Sequence, residues 1–220
     1  MDVFTSLRTE TEALAELVER HRWAPGPSIT HHIVRLTAIA RSVRQSVESQ
    51  EAFGAGRQVS DSVHDGRLAT WLAEQRKAND ALTAAPPASV LPWHDGPLKP
   101  STLAAAALTE LFARGQDIAD TYGVHLTRDD GVGHVAYYCV RTRDRAFHRH
   151  GLTPPAAPFL FELEAPSGAR WSFGPPESQN RISGEAVSFC LVATGRRQLS
   201  SHALESTGDL AAQWLNLLQR

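Results

Sequence analysis

Between residues 29 and 47, Ile29, Ile33, Leu36, Ala40, Val43 and Val47 recur at steps of three and four, which places them on one face of an α-helix. An apolar face of that length is stable in water only when other apolar faces cover it, so the chain must supply further helices. Leu7, Leu14, Leu17 and Val18 repeat at the same spacing until Trp23-Ala24-Pro25-Gly26-Pro27 breaks the run, and Ser28 is placed to cap the second helix. Gly54 to Gly66 reads as a loop. Leu68, Trp71, Leu72 and Gln75 then begin a third helix that ends near Ala85-Pro86-Pro87. Ser101, after Pro100, opens a fourth, Leu103 to Tyr122, with Gly123 as its stop. Thr127 and Asp130 resemble a capping box for a fifth helix, Gly131 to His148, ended by Gly151 and Pro154-Pro155.

Beyond Pro155 the period changes. Phe159-Leu160-Phe161-Glu162-Leu163-Glu164 alternates, Ala165-Pro166-Ser167-Gly168 can turn, and Arg170-Trp171-Ser172-Phe173 returns as a partner strand, which predicts a β-hairpin. Ser183 and Thr207 are placed to cap two more helices, one carrying Val187, Cys190 and Leu191, the other Leu210, Trp214, Leu217 and Leu218. The fold class is therefore α+β: an antiparallel helical bundle over residues 1–150, then a small α+β domain with a hairpin over residues 151–220.

Composition narrows the partners. Of 220 residues, 42% are apolar, enough to close a core, and a formal charge of -2 with interspersed signs gives no long-range field for nucleic acid or an anionic membrane. No apolar run approaches the roughly 18 residues of a membrane span. Glu10, Glu12 and Glu16 stand where a signal peptide needs its apolar core, and Cys139 and Cys190 lie in apolar stretches without metal-type spacing, so a reducing cytoplasm is the expected compartment. Of the 22 basic residues only Lys77 and Lys99 are lysines.

There is no phosphate-loop pattern, no nucleophile elbow and no zinc-protease histidine pair, so chemistry must come from a constellation. On the fourth helix Ala104, Leu108, Leu111, Gly115 and Ile118 share the buried face, while Glu110, Arg114 and Asp117 form a polar stripe at its edge. The bland account of that stripe is a solvated Glu110–Arg114 pair. On the second helix His32 falls within the apolar face and Arg35 flanks it, so a bundle can bring two polar edges together, although a lone histidine on such a face is more often a satisfied core residue. Trp93 sits in the turn before the fourth helix, where a packing anchor is expected. Gly195-Arg196-Arg197 follows a helix whose C-terminal dipole suits cations. His148 and His150 read as a solvated helix end, and both cysteines read as core.

With these residues in place the chain resembles the DinB-like superfamily, specifically the actinobacterial, metal-binding branch of mycothiol-dependent maleylpyruvate isomerase-like proteins. Pro27-Ser28-Ile29 leading to Arg35-Leu36 corresponds to that branch's His-Leu helix, Leu91-Pro92-Trp93 to its proline-tryptophan turn, and Glu110, Arg114 and Asp117 to its Glu-x-x-x-His-x-x-Asp pattern. Trp171-Ser172-Phe173-Gly174, Gly184 to Arg197 and Thr207-Gly208 to Gln219 resemble its C-terminal domain. The resemblance implies a DinB-like bundle, and a divalent metal on two histidines and a glutamate; here Glu110 is kept while Arg114 and Arg35 stand at the histidine positions. A guanidinium has no lone pair for a metal, so the expected metal set is none and the expected cofactor is none. Rescue by His31, His32 or His94 needs a shifted geometry. The expected function is a metal-independent isomerase, cyclase or lyase acting on an anionic or carbonyl-bearing metabolite of specialised metabolism. In it Glu110 or His32 transfers protons, Arg35 and Arg114 hold negative charge, and Asp117, Trp93 and Arg197 bind substrate. The alternatives are a zinc- and mycothiol-dependent isomerase or S-transferase, and a non-catalytic small-molecule-binding protein. The expected partner is a small molecule, with no nucleic acid and no membrane; the resemblance adds a homodimer.

Overall fold

A computed structural model describes residues 1–21, 27–49, 53, 67–201 and 204–219. They fall into two compact units, Met1–Leu126 and Thr127–Arg220.

The first unit is built on four long helices. Helix α1, Val3–Arg20, begins at Asp2, whose Oδ1 accepts hydrogen bonds from Phe4 N and Thr5 N at 3.0 Å each, satisfying two of the donors that an N-terminus leaves over. It buries Leu7, Leu14, Leu17 and Val18, as its periodicity predicts. Helix α2, Pro27–Glu48, buries Ile29, Ile33, Leu36, Ala40 and Val43. Since it begins at Pro27, Ser28 lies inside its first turn and not ahead of it; the Ser28 side chain, Trp23 and Gly54 to Gly66 lie outside the described residues. Helix α3, Leu68–Ala84, packs Trp71, Ala78 and Leu82 against α2, and helix α4, Pro100–Tyr122, packs against both α1 and α2. Pro100 opens α4 with a φ already suited to a helix, and Gly123 closes it at φ 66, a left-handed conformation that glycine adopts without steric penalty. Residues Ala104 to Ala107 of α4 are all buried, and such small side chains let neighbouring backbones approach closely.

The second unit begins earlier than the expected boundary near Gly151. The predicted fifth helix is two: α5, Val132–Arg141, and α6, Asp144–Arg149. The break follows from side chains that capture backbone groups at the junction. Thr142 Oγ1 donates to Tyr138 O at 2.7 Å, and the Arg143 carbonyl accepts from the Trp214 indole Nε1 at 3.0 Å. The predicted capping box is absent as well, because Asp129 Oδ1 accepts from Gly131 N while Asp130 turns to the hairpin and accepts from Ser167 N at 3.0 Å and Ser167 Oγ at 2.7 Å. Helix α5 thus belongs to the α+β unit. A Cβ placed on Gly133 would lie 3.0 Å from the Trp171 ring, so glycine allows the indole to rest on the helix.

The hairpin forms as predicted, with β1, Phe159–Glu164, antiparallel to β2, Arg170–Phe173, in the register Phe161↔Phe173. Two further strands stand where the sequence predicts helix caps. Ser183 lies within β3, Asn180–Glu185, parallel to β1, and Thr207 lies within β4, Glu205–Thr207, antiparallel to β3. The sheet order is β2-β1-β3-β4. The helices start just after these strands, α7 at Ala186–Ala193 and α8 at Asp209–Leu217, with Leu199–Ser201 forming a 3-10 turn between. Phe161 of β1 meets Phe189 of α7 and Trp214 of α8 with ring centroids 5.6 Å apart in both cases, each edge to face, the arrangement that aromatic quadrupoles favour. Glu162 and Glu164 on the alternate positions of β1 are exposed.

Candidate functional site

The seam between α2 and α4 holds the polar cluster. The helices run antiparallel there, since His32 near the start of α2 meets Asp117 near the end of α4. Asp117 Oδ2 lies 3.8 Å from His32 Nδ1 and 3.5 Å from Arg114 Nη1, so one carboxylate oxygen is shared at ion-pair range by an imidazole and a guanidinium. The His32 side chain is 11% exposed, Arg114 22% and Asp117 26%, so the Arg114–Asp117 pair acts in a medium less screening than bulk water. Arg114 is therefore engaged with Asp117 at i+3, and not with Glu110 as spacing alone suggests. Its Nε is buried and, among the described residues, has no acceptor. His31 is exposed and meets the edge of the His32 ring at 5.9 Å.

The other candidates stand apart from this cluster. Arg35 is exposed one turn further along α2. Glu110 is half-buried on α4, roughly 10 Å along the helix axis from Asp117. Trp93 belongs to the opposite end of the bundle. Ser46 Oγ donates to Pro92 O at 2.6 Å, which fixes this turn beside a residue of α2 about 21 Å along the axis from His32. There Trp93 packs among His94 and Phe53, with ring centroids at 4.7 and 5.9 Å, as an anchor would. Arg197 lies in the second unit after α7, where its Nη1 donates to Arg196 O at 2.7 Å and its backbone N–H to Leu191 O. His150 is no free helix end: its Nε2 lies 3.0 Å from Leu217 O.

The second unit carries an open cleft of about 600 Å³ that spacing did not reveal, lined among others by Glu162, Glu164, Arg170, Trp171 and Glu185. Ser188 Oγ donates to Glu185 Oε2 at 3.0 Å, and Arg181 Nη1 donates to Glu162 Oε2 at 3.2 Å. Its lining includes neither Arg197 nor any histidine. The acid–base grouping lies instead on α2 and α4, where imidazole, carboxylate and guanidinium converge.

No protein-family model matches the chain. It is 34% identical to the uncharacterized protein Rv0036c of Mycobacterium tuberculosis over 237 aligned positions, spanning 97% of this chain and 92% of that protein; the corresponding protein of a second strain matches equally. The chain belongs to the family of this mycobacterial protein. Among solved structures it is similar to the mycothiol-dependent maleylpyruvate isomerase, at 14% identity and a TM-score of 0.51 over 93% of this chain and 91% of that one. A histidine-to-alanine mutant of that isomerase matches at 13% identity and a TM-score of 0.52, with the same coverage. This chain shares the fold of that isomerase, a DinB-like helical bundle followed by an α+β unit.

The resemblance implies a divalent metal on two histidines and a glutamate. Arg114, one turn beyond Glu110, carries no lone pair, and among the described residues no three His, Cys, Asp or Glu side chains form a group able to hold an ion. Among the described residues, the donors present do not fit such a metal. The thiols do not offer soft ligands either. Cys139 and Cys190 are unpaired and buried in the second unit; burial pushes the Cys139 thiol up to about 12, and burial with the neighbouring Cys139 pushes Cys190 well above its ordinary value. Among the described residues no helix is long and apolar enough to cross a membrane.

Proposed function

We propose that this chain is a cytoplasmic small-molecule enzyme that moves protons on an anionic or carbonyl-bearing metabolite without a metal ion, in an isomerisation, cyclisation or elimination. The observation that carries this reading is the shared oxygen of Asp117, within 3.8 Å of His32 Nδ1 and 3.5 Å of Arg114 Nη1. The Asp117 carboxylate, 3.8 Å from Nδ1, is placed to favour a proton on that nitrogen, and we assign the imidazole the acid–base role. His32 is then the proton carrier and Asp117 its positioning residue. Arg114, permanently cationic, is the group beside which an enolate or carboxylate oxygen develops charge at least cost. Arginine itself never serves as the base, because it does not release its proton in proteins. Glu110 and Arg35 lie on the same two helices outside this cluster, and we assign them the second acid–base and the outer charge-binding role.

The test is deuterium exchange from D₂O into oxaloacetate, 2-oxoglutarate and pyruvate, followed by proton NMR. It is run beside isomerisation of maleylpyruvate, the substrate named for the structural neighbours, with and without mycothiol. After exhaustive dialysis against EDTA the protein is expected to keep its exchange or turnover, and His32→Gln to lose about 100-fold or more, the usual contribution of a positioned acid–base group. Loss on chelation with recovery on zinc would replace this reading by the metal- and thiol-dependent one. Absence of exchange and turnover on the whole panel would leave a binding protein.

A further inference from the structure

A guanidinium offers its donors as forks, and the Nε–H and one Nη–H point the same way along one edge, spaced to meet the two oxygens of a carboxylate. In Arg114 the opposite end is in use: Nη1 faces Asp117 Oδ2 at 3.5 Å. Its Nε lies buried and, among the described residues, without an acceptor. A buried charged donor left unsatisfied is costly, so an arrangement that withholds the edge from the protein's own acceptors disfavours the empty state and rewards an incoming acceptor. Two carboxylates stand within reach on the same helix and neither closes the edge. Asp117 takes only the Nη1 end, and Glu110, one turn before, is not paired with Arg114. Asp117 also keeps the guanidinium from rotating freely, which pre-organises the remaining edge for a planar partner.

We infer that the Nε edge of Arg114 is a carboxylate-binding fork, and that the ligand of the α2–α4 seam carries a carboxylate held side-on there, next to His32. This inference rests on the proposed assignment of the seam as the functional site and narrows its ligand class from anion or carbonyl compound to carboxylic acid. The shape of the donor set makes the distinction. A point charge such as a lysine ammonium binds anions of any shape, whereas the fork recognises two coplanar oxygens.

The test is binding alone, so it stands whether or not turnover is found. Malonate, and malonamide as its uncharged counterpart, are titrated into the full chain by isothermal calorimetry at low ionic strength. The expected result is that malonate binds and malonamide does not. Arg114→Lys, which keeps the charge and removes the fork, is expected to weaken malonate by about ten-fold or more, while Arg20→Lys, at an exposed position on α1, leaves the affinity unchanged. Thermal melts identify a variant that fails to fold, in which case Arg114→Gln takes its place. Equal affinity for malonate and malonamide, or malonate binding unaltered in a folded Arg114→Lys protein, overturns the inference. Malonate binding with the expected Arg114 dependence but no proton exchange in His32-containing protein overturns the proposed catalysis and leaves the carboxylate site standing.

Discussion

Raising the pH from 8 to about 10.5 should weaken the second unit through its two buried thiols, and the size of the effect follows from their surroundings. A thiol bears charge only after losing its proton. Burial disfavours that charged form and pushes Cys139 from its ordinary 9.0 up to about 12, and moves Cys190 in the same direction. Below pH 9 the thiols are protonated in both folded and unfolded chains, so they leave stability unchanged. Above pH 9 the unfolded chain releases its protons while the folded chain retains them. The unfolded state then binds fewer protons, and stability falls with rising pH. For Cys139 alone, a span of about 1.5 pH units above 9.0 at about 1.4 kcal/mol per unit amounts to about 2 kcal/mol at pH 10.5. Cys190 adds a loss of the same sign. The assay is urea unfolding of the wild type and of Cys139→Ala/Cys190→Ala at pH 8, 9 and 10.5, followed by tryptophan fluorescence, with Trp214 buried in this unit as reporter. The double variant starts from a lower midpoint, because it leaves cavities, but its midpoint should fall less steeply with pH. Parallel pH dependences in the two proteins would refute the argument that burial of these thiols sets their protonation.

Gly174→Ala should disrupt the second unit: Gly174 holds φ 110, and a Cβ there would lie 2.0 Å from the Phe159 carbonyl oxygen. The backbone conformation alone is worth about 1 to 3 kcal/mol to a residue with a side chain, and the clash adds to it, so urea midpoints should drop sharply or the variant should be recovered unfolded. Phe161→Leu keeps most of the buried apolar volume and loses the edge-to-face contacts with Phe189 and Trp214; at about 0.5 to 1.5 kcal/mol per pair it should destabilise by about 1 to 3 kcal/mol, and a midpoint within error of wild type would contradict the geometric role of the trio.

The helical half was legible because its signal is local. The faces of α1 and α4 and the α2 stripe bury the residues that a 3.6-residue period selects, save Val47 at the end of α2, which is half-buried, and Pro100 and Gly123 mark helix ends by backbone chemistry that needs no partner. The strands β3 and β4 were not legible for the converse reason. Asn180–Glu185 contains Asn, Arg, Ser, Gly and Glu around a single Ile182, and Glu205–Thr207 is exposed throughout, so β3 exists because β1 provides an edge for it, and β4 because β3 does, and not because of their own pattern. Ser183 and Thr207 are therefore residues with capping chemistry held in strands by tertiary pairing. The break between α5 and α6 depends on the Trp214 indole, which is seventy-one residues from Arg143 and invisible to any window on the sequence. At the site, helical wheels put His32 within the apolar face of α2, with Arg35 flanking it, and Glu110, Arg114 and Asp117 along the edge of α4. Which members meet was decided by the antiparallel register of α2 and α4, which brings Asp117 to His32 and carries Trp93 to the far end.

The long-range fastening of the second unit has a consequence for the order in which a nascent chain can acquire structure. Every long helix of the first unit finds its partners by Tyr122, so that bundle can close while the rest is still being synthesised. The second unit cannot. Its earliest helices are tied to its latest one, Arg143 O to the Trp214 indole and His150 to the Leu217 carbonyl, and Phe161 waits for both Phe189 and Trp214. Until α8 has left the ribosome, the apolar face of β1 that carries Phe161 therefore lacks the cover that Trp214 supplies. The interval between completion of the bundle and arrival of Trp214 is the point in biosynthesis at which this chain most needs protection from its own kind.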